Sequence, residues 1–508
     1  MPPHHPIFGM SITRVQSFAF AGIDAVPVGV EVQIANGLPA FLIVGLADKA
    51  VGEARERVRA ALTAMGLALP PKRILINLVP ADLLKEGSHF DLPIALALLA
   101  GMGVVSHEQC SRFAAVGELS LDGTLNPVSG VLSAAIGAAE DGLGLICPGP
   151  QGSEARWAGE HIDVLAPPDL QALINHFRGT QVLAPVELPA LRPVPPQPDL
   201  SDVRGMAVAR RALEIAAAGG HSLLLSGPPG AGKSMLAARL PGILPDLTAA
   251  QVLEVTRIHS AANALPDGYP IRRPSFRDPH HSASLPALVG GGARARPGDV
   301  SLAHHGVLFL DELPEFSRAC LESLRQPLET GRMTIARARA HVTYPARFQL
   351  VAAMNPCRCG YLGDPERQCS RITRCGTDYQ ARISGPLMDR LDLVVPVTAA
   401  TPAEFLRSPP GETSALVRAR VEAARARQYA RHPDLCNAHA SPDSFEMTAA
   451  ARTLAEDAGG RFGLSARGFT RLFRVARTIA DLAACQEVRP DHLAEALSFR
   501  HRASTRSA

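Results

Sequence analysis

Residues 227–234 read GPPGAGKS, and this stretch constrains the surrounding chain more than any other. It follows an apolar run, SLLLS (222–226), and precedes a helix-like run, MLAARL, so it occupies a strand-to-helix turn. Gly227, Gly230 and Gly232 let the backbone curl so that its amides point inward at phosphates, and the following helix adds its positive N-terminus. Lys233 would neutralise β/γ-phosphate charge, and the Ser234 hydroxyl would ligate Mg²⁺. The whole stretch, with Pro228, Pro229 and Ala231, is assigned to the phosphate cradle. The plain alternative is a glycine-rich turn with an incidental lysine. A chance match is on the order of a few in a thousand. Of the 51 basic residues only four are lysines, and Lys233 is the sole lysine after Lys85.

Phosphate chemistry needs a second half. VLFLDE (307–312) reads as a buried strand ending in two carboxylates, where Asp311 can hold the Mg²⁺ shell and Glu312 can orient and polarise an attacking water. Its alternative is a solvated turn. Asn355 ends the next apolar run, QLVAAMN (349–355), and its amide can hydrogen-bond a γ-phosphate and that water, the sensor 1 role. A turn-forming Asn ahead of Pro356 is the competing reading.

Composition removes other classes. A prior of about 150 residues per domain gives roughly three domains for 508 residues. A hydrophobic fraction of 46% and a charged fraction of 19% belong to a globular chain, not a disordered one. The net charge of +3 is neutral on partners, and a chain-wide preference for arginine weakens each arginine cluster as a sign of nucleic acid. The longest apolar run, Leu92 to Val105, is 14 residues, too short to span a bilayer. The start MPPHHPIFGM lacks the charged and apolar regions of a secretory signal. Nine scattered cysteines without secretory context do not form a disulfide framework. The expected compartment is the cytoplasm, with no membrane partner.

Residues 184–200 carry prolines at 185, 189, 193, 195, 196 and 198, which favours extended backbone and marks an interdomain linker. Before it, residues 1–183 mix strand-like pieces (VPVGVEVQIA, AFLIVGLA, RILINLVPA) with helices at Lys49 to Met65 and Asp91 to Ala100. After it, residues 201–400 alternate strands and helices, which predicts a mainly parallel sheet covered on both faces. From 401 to 508 the strands stop, and Leu416 to Tyr429, Thr448 to Ala458, Ser465 to Ala484 and Pro490 to Arg500 read as a helical domain.

GPPGAGKS, VLFLDELPEF, AAMNPC and SGPLMDRLDL together resemble an AAA+ ATPase of the magnesium-chelatase/MCM helicase branch. More narrowly, RALEIAAAGGHSLLLSGPPGAGKSMLA, PGDVSLAHHGVLFLDELPEF and LSARGFTRLFRVARTIADL resemble the magnesium-chelatase-like ComM/YifB family over nearly the whole chain. The fold class implied is α/β, a P-loop AAA+ module with a C-terminal helical lid. The resemblance implies ATP hydrolysis with Mg²⁺, a homo-oligomeric ring, usually a hexamer, and action on single-stranded or branched DNA in recombination during transformation. Its alternative is a chelatase-like ATPase that remodels a protein or metallocofactor partner. By motif, Arg390 in LMDRLDL becomes the arginine finger, with Arg382 a lesser candidate, and Arg467 in LSARGFTRL the sensor 2 arginine. Their plain readings are a surface ion pair and a helix-face arginine. Met206 stands where a Gln often follows the glycine, which leaves the adenine side open.

EARERVRAAL, FDLPIALALLA and GELSLDGTLNPVSG resemble a Lon-protease-like, ribosomal-S5-type α+β domain. Lon-type proteolysis needs a serine activated by a lysine, but KEGSHFDLP puts His89 at the serine position beside Ser88, and PVSGVLSAA offers Leu132 where the lysine belongs. No peptidase activity is expected, and binding of a partner or nucleic acid is.

Cys357, Cys359, Cys369 and Cys375 could close a tetrahedral Zn²⁺ site around a small loop, although the spacing lacks a C-x₂-C knuckle and free thiols remain the alternative. His280–His281 and His304–His305 are read as packing or inter-subunit contacts, because neighbouring side chains on extended backbone point apart and no carboxylate cluster accompanies them. VGGGARARPGD suits a loop in a ring's pore. Arg337 and Arg339 fall at period-two spacing on a hairpin that could meet DNA phosphates, or simply face solvent.

Overall fold

A computed structural model describes residues 12–188, 190, 191, 193–292, 295–336, 341–362, 369, 374–398, 407–462 and 464–500. Five short strands, Leu223–Ser226, Phe276–Arg277, Val307–Leu310, Gln349–Met354 and Leu393–Pro396, form one parallel sheet. Its spatial order is 276–277, 307–310, 349–354, 223–226, 393–396, so the phosphate-loop strand lies between the Asn355 strand and the last one. Alternation along each strand sends side chains to two cores. Leu223, Leu225, Phe309, Val351 and Ala353 face one core, and Leu224, Leu308, Leu310, Leu350 and Ala352 face the other. The sheet is therefore covered on both sides, and its exits converge at one edge.

Helices Ser414–Arg431, Ala449–Phe462, Ala466–Leu482 and Pro490–Ser498 follow. Their buried residues, including Val421, Ala455, Leu472, Ile479 and Leu493, join the same core as Leu223 and Leu225. The helical region thus packs directly on the sheet and shares its core.

The N-terminal region has a seven-stranded mixed sheet in the spatial order 40–44, 73–79, 24–35, 13–21, 113–115, 144–146, 164–165. Helix Lys49–Ala64 starts where the Asp48 side chain accepts the Val51 amide at 2.8 Å, and it buries Val51, Ala54, Val58, Ala61 and Leu62, the stripe its spacing predicts. Helix Asp91–Gly101 is buried along nearly its whole length. Among the described residues between 183 and 199 there is neither helix nor strand.

The two sheets meet through a small apolar cluster of Ile23, Ile258, Ala295, Leu302, Ile335 and Tyr344. Helix Ala249–Ala261 lies at this junction, where Arg257 donates to the Ile23 carbonyl (2.7 Å) and to Asp24 (2.9 Å), and Ser260 donates to the buried carboxylate of Glu154 (2.5 Å). Strands Arg332–Ala336 and His341–Pro345 pair antiparallel as a hairpin. Arg337 and Arg339, which fall between these strands in sequence, lie outside the described residues. The glycine-rich segment forms a second short pairing, Gly290–Gly291 with Arg296–Pro297, and Ala295 packs against the N-terminal region.

Candidate nucleotide site

The phosphate loop runs from the end of strand Leu223–Ser226 into helix Lys233–Ala237. Gly230 and Gly232 have φ of 77° and 83°, the left-handed region that glycine enters freely. A Cβ on Gly227 would lie 2.0 Å from the Val397 carbonyl oxygen, so no larger residue fits there. Lys233 is 8% exposed. Its ammonium donates to the carbonyls of Gly227 (2.8 Å) and Pro228 (2.9 Å) and to Asn355 Oδ1 (3.1 Å). Burial pulls its pKa below the ordinary lysine value, while the charges of Asp311 and Glu312 pull it back up.

Ser234 Oγ donates to Asp311 Oδ2 at 2.7 Å. A hydroxyl and a carboxylate oxygen in contact are the hard donors Mg²⁺ prefers, so the residues present fit that ion. Asp311 Oδ1 also accepts the Glu312 amide at 2.9 Å, and Glu312 has φ of 51°, an uncommon backbone state for a non-glycine residue. Its exposed carboxylate meets His281 Nδ1 at 3.3 Å. Lys233, Ser234, Asp311, Glu312 and Asn355 are thereby brought together at one edge of the sheet. Met206, with φ of 50° at the start of helix Ala207–Gly219, reaches the loop from the other side, its Cε 3.3 Å from where a Gly232 Cβ would stand.

The candidate arginines are not part of this cluster within the chain. Arg390 is 9% exposed; it donates to the Pro386 carbonyl at 2.6 Å and pairs with Glu329. Arg382 is more open and pairs with Glu315 at 2.8 Å. Arg467 is exposed in the first turn of helix Ala466–Leu482. Close by, Asp392 accepts the Ser222 amide (3.0 Å) and hydroxyl (3.1 Å), with His221 Nδ1 at 3.5 Å and Arg471 at 3.6 Å. Burial pushes its pKa up, but His221, Arg471 and the Ser222 amide outweigh that and hold it down at about 2. This carboxylate fixes the start of the phosphate-loop strand against the helical region.

The histidine pairs correct an expectation. They do not point apart: ring centroids are 4.1 Å apart for His280–His281 and 4.0 Å for His304–His305. At the second pair the backbone is not extended, since His305 has φ of 52°. A carboxylate does accompany that pair, because Glu254 Oε2 lies 3.1 Å from Nε2 of both rings, a partner distant in sequence. His304 Nδ1 accepts the Arg347 amide at 2.9 Å, which places the ring proton on Nε2, facing Glu254. His305 Nε2 hydrogen-bonds Glu254 Oε2, while His304 Nε2 lies at 3.1 Å from the same oxygen as a close charge contact. The trio ties helix Ala249–Ala261 to the chain just ahead of the Asp311 strand. Glu254 carries no local sequence signal, and the sequence reads His281 only as one of a packing or inter-subunit pair, not as a partner of Glu312.

The four cysteine sulfurs lie within 4.8 Å of one another, with Cys357 and Cys369 buried. In the N-terminal region, Ser88 Oγ donates to Glu118, and the buried His89 contacts the Phe18 carbonyl through Nε2 at 2.8 Å. Leu132 is fully buried, and the buried Lys85 ammonium donates to the Pro80 carbonyl.

Residues 199–405 match the family described as magnesium chelatase, subunit ChlI; residues 30–150 match subunit ChlI of Mg-chelatase, and residues 411–500 its C-terminal part. The chain is 44% identical over 505 residues to the uncharacterised protein YifB of Escherichia coli K12, covering 97% of each chain. It is 41% identical over 508 residues to the competence protein ComM of Haemophilus influenzae, covering 97% of this chain and 98% of that one. An uncharacterised Mycobacterium tuberculosis protein is 43% identical over 507 residues, covering 98% of this chain and 100% of the relative. With a phosphate loop, paired strand-end carboxylates and matches along its length, the chain belongs to the magnesium-chelatase ChlI-like AAA+ ATPases that include YifB and ComM.

Proposed function

We propose that this AAA+ protein is an ATP-hydrolysing ring motor, a hexamer, that moves along single-stranded or branched DNA and promotes branch migration of recombination intermediates in the cytoplasm. The observation that carries the ATPase half is the convergence of Lys233 with Asn355 (3.1 Å) and of Ser234 with Asp311 (2.7 Å) at the edge of one sheet. On binding a triphosphate, Lys233 exchanges its carbonyl and amide acceptors for β/γ-phosphate oxygens. Ser234 and Asp311 would hold the nucleotide's Mg²⁺, which when bound would neutralise phosphate charge. Glu312 orients the attacking water, and Asn355 positions it beside the γ-phosphate. Arg390 of a neighbouring subunit stabilises the transition-state charge once its pair with Glu329 opens; Arg382 is the second donor, and Arg467 acts from the lid. A finger supplied by a neighbour requires a closed ring.

The DNA half is supported by the competence-protein name of the Haemophilus relative and by two arginines, Arg337 and Arg339, in the sequence between the paired strands. The division proposed is an N-terminal binding domain (1–183) without peptidase activity, a linker (184–200), the ATPase core (201–400) and the helical lid (401–508), with Zn²⁺ in the four-cysteine loop.

The test is ATP hydrolysis and strand displacement on forked DNA, wild type against Lys233→Ala. Stimulation by DNA that weakens steeply with salt supports the reading. An assembled ring that hydrolyses ATP yet binds no DNA at low salt overturns its DNA half and favours a protein or metallocofactor partner. Casein degradation lost in Ser88→Ala would overturn the absence of peptidase activity.

A further inference from the structure

The loop after Asn355 places four thiols in a volume suited to one ion. Four sulfurs at about 2.3 Å from a tetrahedral Zn²⁺ stand about 3.8 Å apart, and here all lie within 4.8 Å, with Cys357 and Cys359 Sγ at 3.1 Å. The backbone adds to the fit. The Gly360 amide donates to the Cys357 carbonyl at 2.9 Å, a tight turn that brings Cys357 and Cys359 to one side. Among the described residues of this span, Arg358 and Arg374 are each adjacent in sequence to a cysteine of the set.

The loop is also built onto the nucleotide site. Cys357 follows Asn355 by two residues, so the first ligand and the γ-phosphate-sensing amide share one short piece of backbone. Gly360 has φ of 86°, and a Cβ on it would lie 2.6 Å from Pro229 Cδ and 2.7 Å from Pro229 Cγ, so the loop's backbone rests directly on the phosphate loop. Gln380, closing the helix Cys375–Gln380 that carries the fourth cysteine, donates to the Pro356 carbonyl at 3.1 Å. Tyr379 of that helix is buried near Glu312 and Glu315, and Arg382 just beyond it pairs with Glu315. The start of the loop thus fixes Asn355 and, through Gly360, presses on Pro229, and its far end reaches the carboxylates after the Asp311 strand.

We infer that one Zn²⁺ bound by Cys357, Cys359, Cys369 and Cys375 is a brace for the nucleotide site: the metal fixes the loop, and the loop fixes Pro229 and Asn355 for the triphosphate. The inference rests on the nucleotide reading of GPPGAGKS. A segment of this size with few apolar side chains gains its order from the metal, so losing the metal frees both contacts.

The experiment uses the full chain purified under reducing conditions, with metal content by mass spectrometry and affinity for a fluorescent ATP analogue. The expected content is one zinc per chain, reduced to background in Cys369→Ser and in Cys375→Ser. Removing zinc with a thiol-directed mercurial and a chelator should weaken nucleotide binding about tenfold, and re-adding zinc after reduction should restore it. Gly360→Ala keeps the four ligands, so it should retain zinc and still lose affinity about tenfold; circular dichroism checks that each variant folds. Protein without zinc whose four thiols all react freely would overturn the metal. Zinc lost without change in affinity, or Gly360→Ala binding as wild type, would overturn the brace. Zinc-loaded wild type that binds no nucleotide would overturn the phosphate-loop reading and leave the metal site standing.

Discussion

Among the described residues, a glycine-led turn presents a serine hydroxyl to a carboxylate in both the N-terminal and the ATPase regions, in different surroundings. In the N-terminal region, Gly87 (φ 100°) leads into Ser88, which donates to Glu118. In the ATPase region, Gly232 (φ 83°) leads through Lys233 into Ser234, which donates to Asp311. The neighbours differ. Beside Ser234 stands a buried ammonium that also reaches Asn355, at an edge where three strands end. Beside Ser88 stands the buried His89, engaged with the Phe18 carbonyl. A serine–carboxylate pair is an ordinary hydrogen bond; a buried cation held by replaceable acceptors turns it into a polyanion site.

The sharpest way to break the comparison is Lys233→Ala, which removes the cation and keeps the Ser234–Asp311 pair. Steady-state ATP hydrolysis should fall by about 10³-fold, and turnover near the wild-type rate would show that the ammonium is not what distinguishes the two turns. Glu312→Gln is next. It keeps the shape and loses the carboxylate, so nucleotide affinity should hold while turnover drops by about 10²-fold.

A smaller effect concerns what anchors the active turn. Asp392 holds the start of the phosphate-loop strand with its pKa at about 2, below the ordinary 3.8. A depressed carboxylate contributes its stability in full above the unfolded value and loses it as pH falls through the folded one. Denaturant unfolding should find Asp392→Asn less stable at neutral pH by roughly 2 kcal/mol. The gap should close as pH falls from 3.8 through about 2. An equal gap across that range would assign the loss to packing alone. The smallest effect is expected at the Ser88 turn. Ser88→Ala should leave ATP hydrolysis unchanged and shift stability by about 1 kcal/mol or less, and a fall in turnover would mean the N-terminal turn takes part after all.

Much of the ATPase fold was legible because its signals are local. Apolar runs at 307–310 and 349–354 bury on both faces, as parallel strands must, and Leu308 and Phe309 do face opposite cores. The stripe on helix Lys49–Ala64 was readable from its spacing for the same reason. The histidines were not. His304 and His305 were expected to diverge, but a left-handed residue and a glutamate some fifty positions earlier draw both rings to one carboxylate. The sharing of one core by the sheet and the C-terminal helices was equally hidden, because periodicity reports that a face is apolar and not what it meets.

By itself the sequence determined where a phosphate can be held, since glycine torsions, a strand exit and a helix start act over a few residues. Only the packed structure reveals that Ser88 meets Glu118, that His304 and His305 face one Glu254 carboxylate, and that Gly360 rests on Pro229. Those outcomes depend on which surfaces the packed sheets bring into contact, and contacts between residues far apart in the chain follow from how the whole core closes.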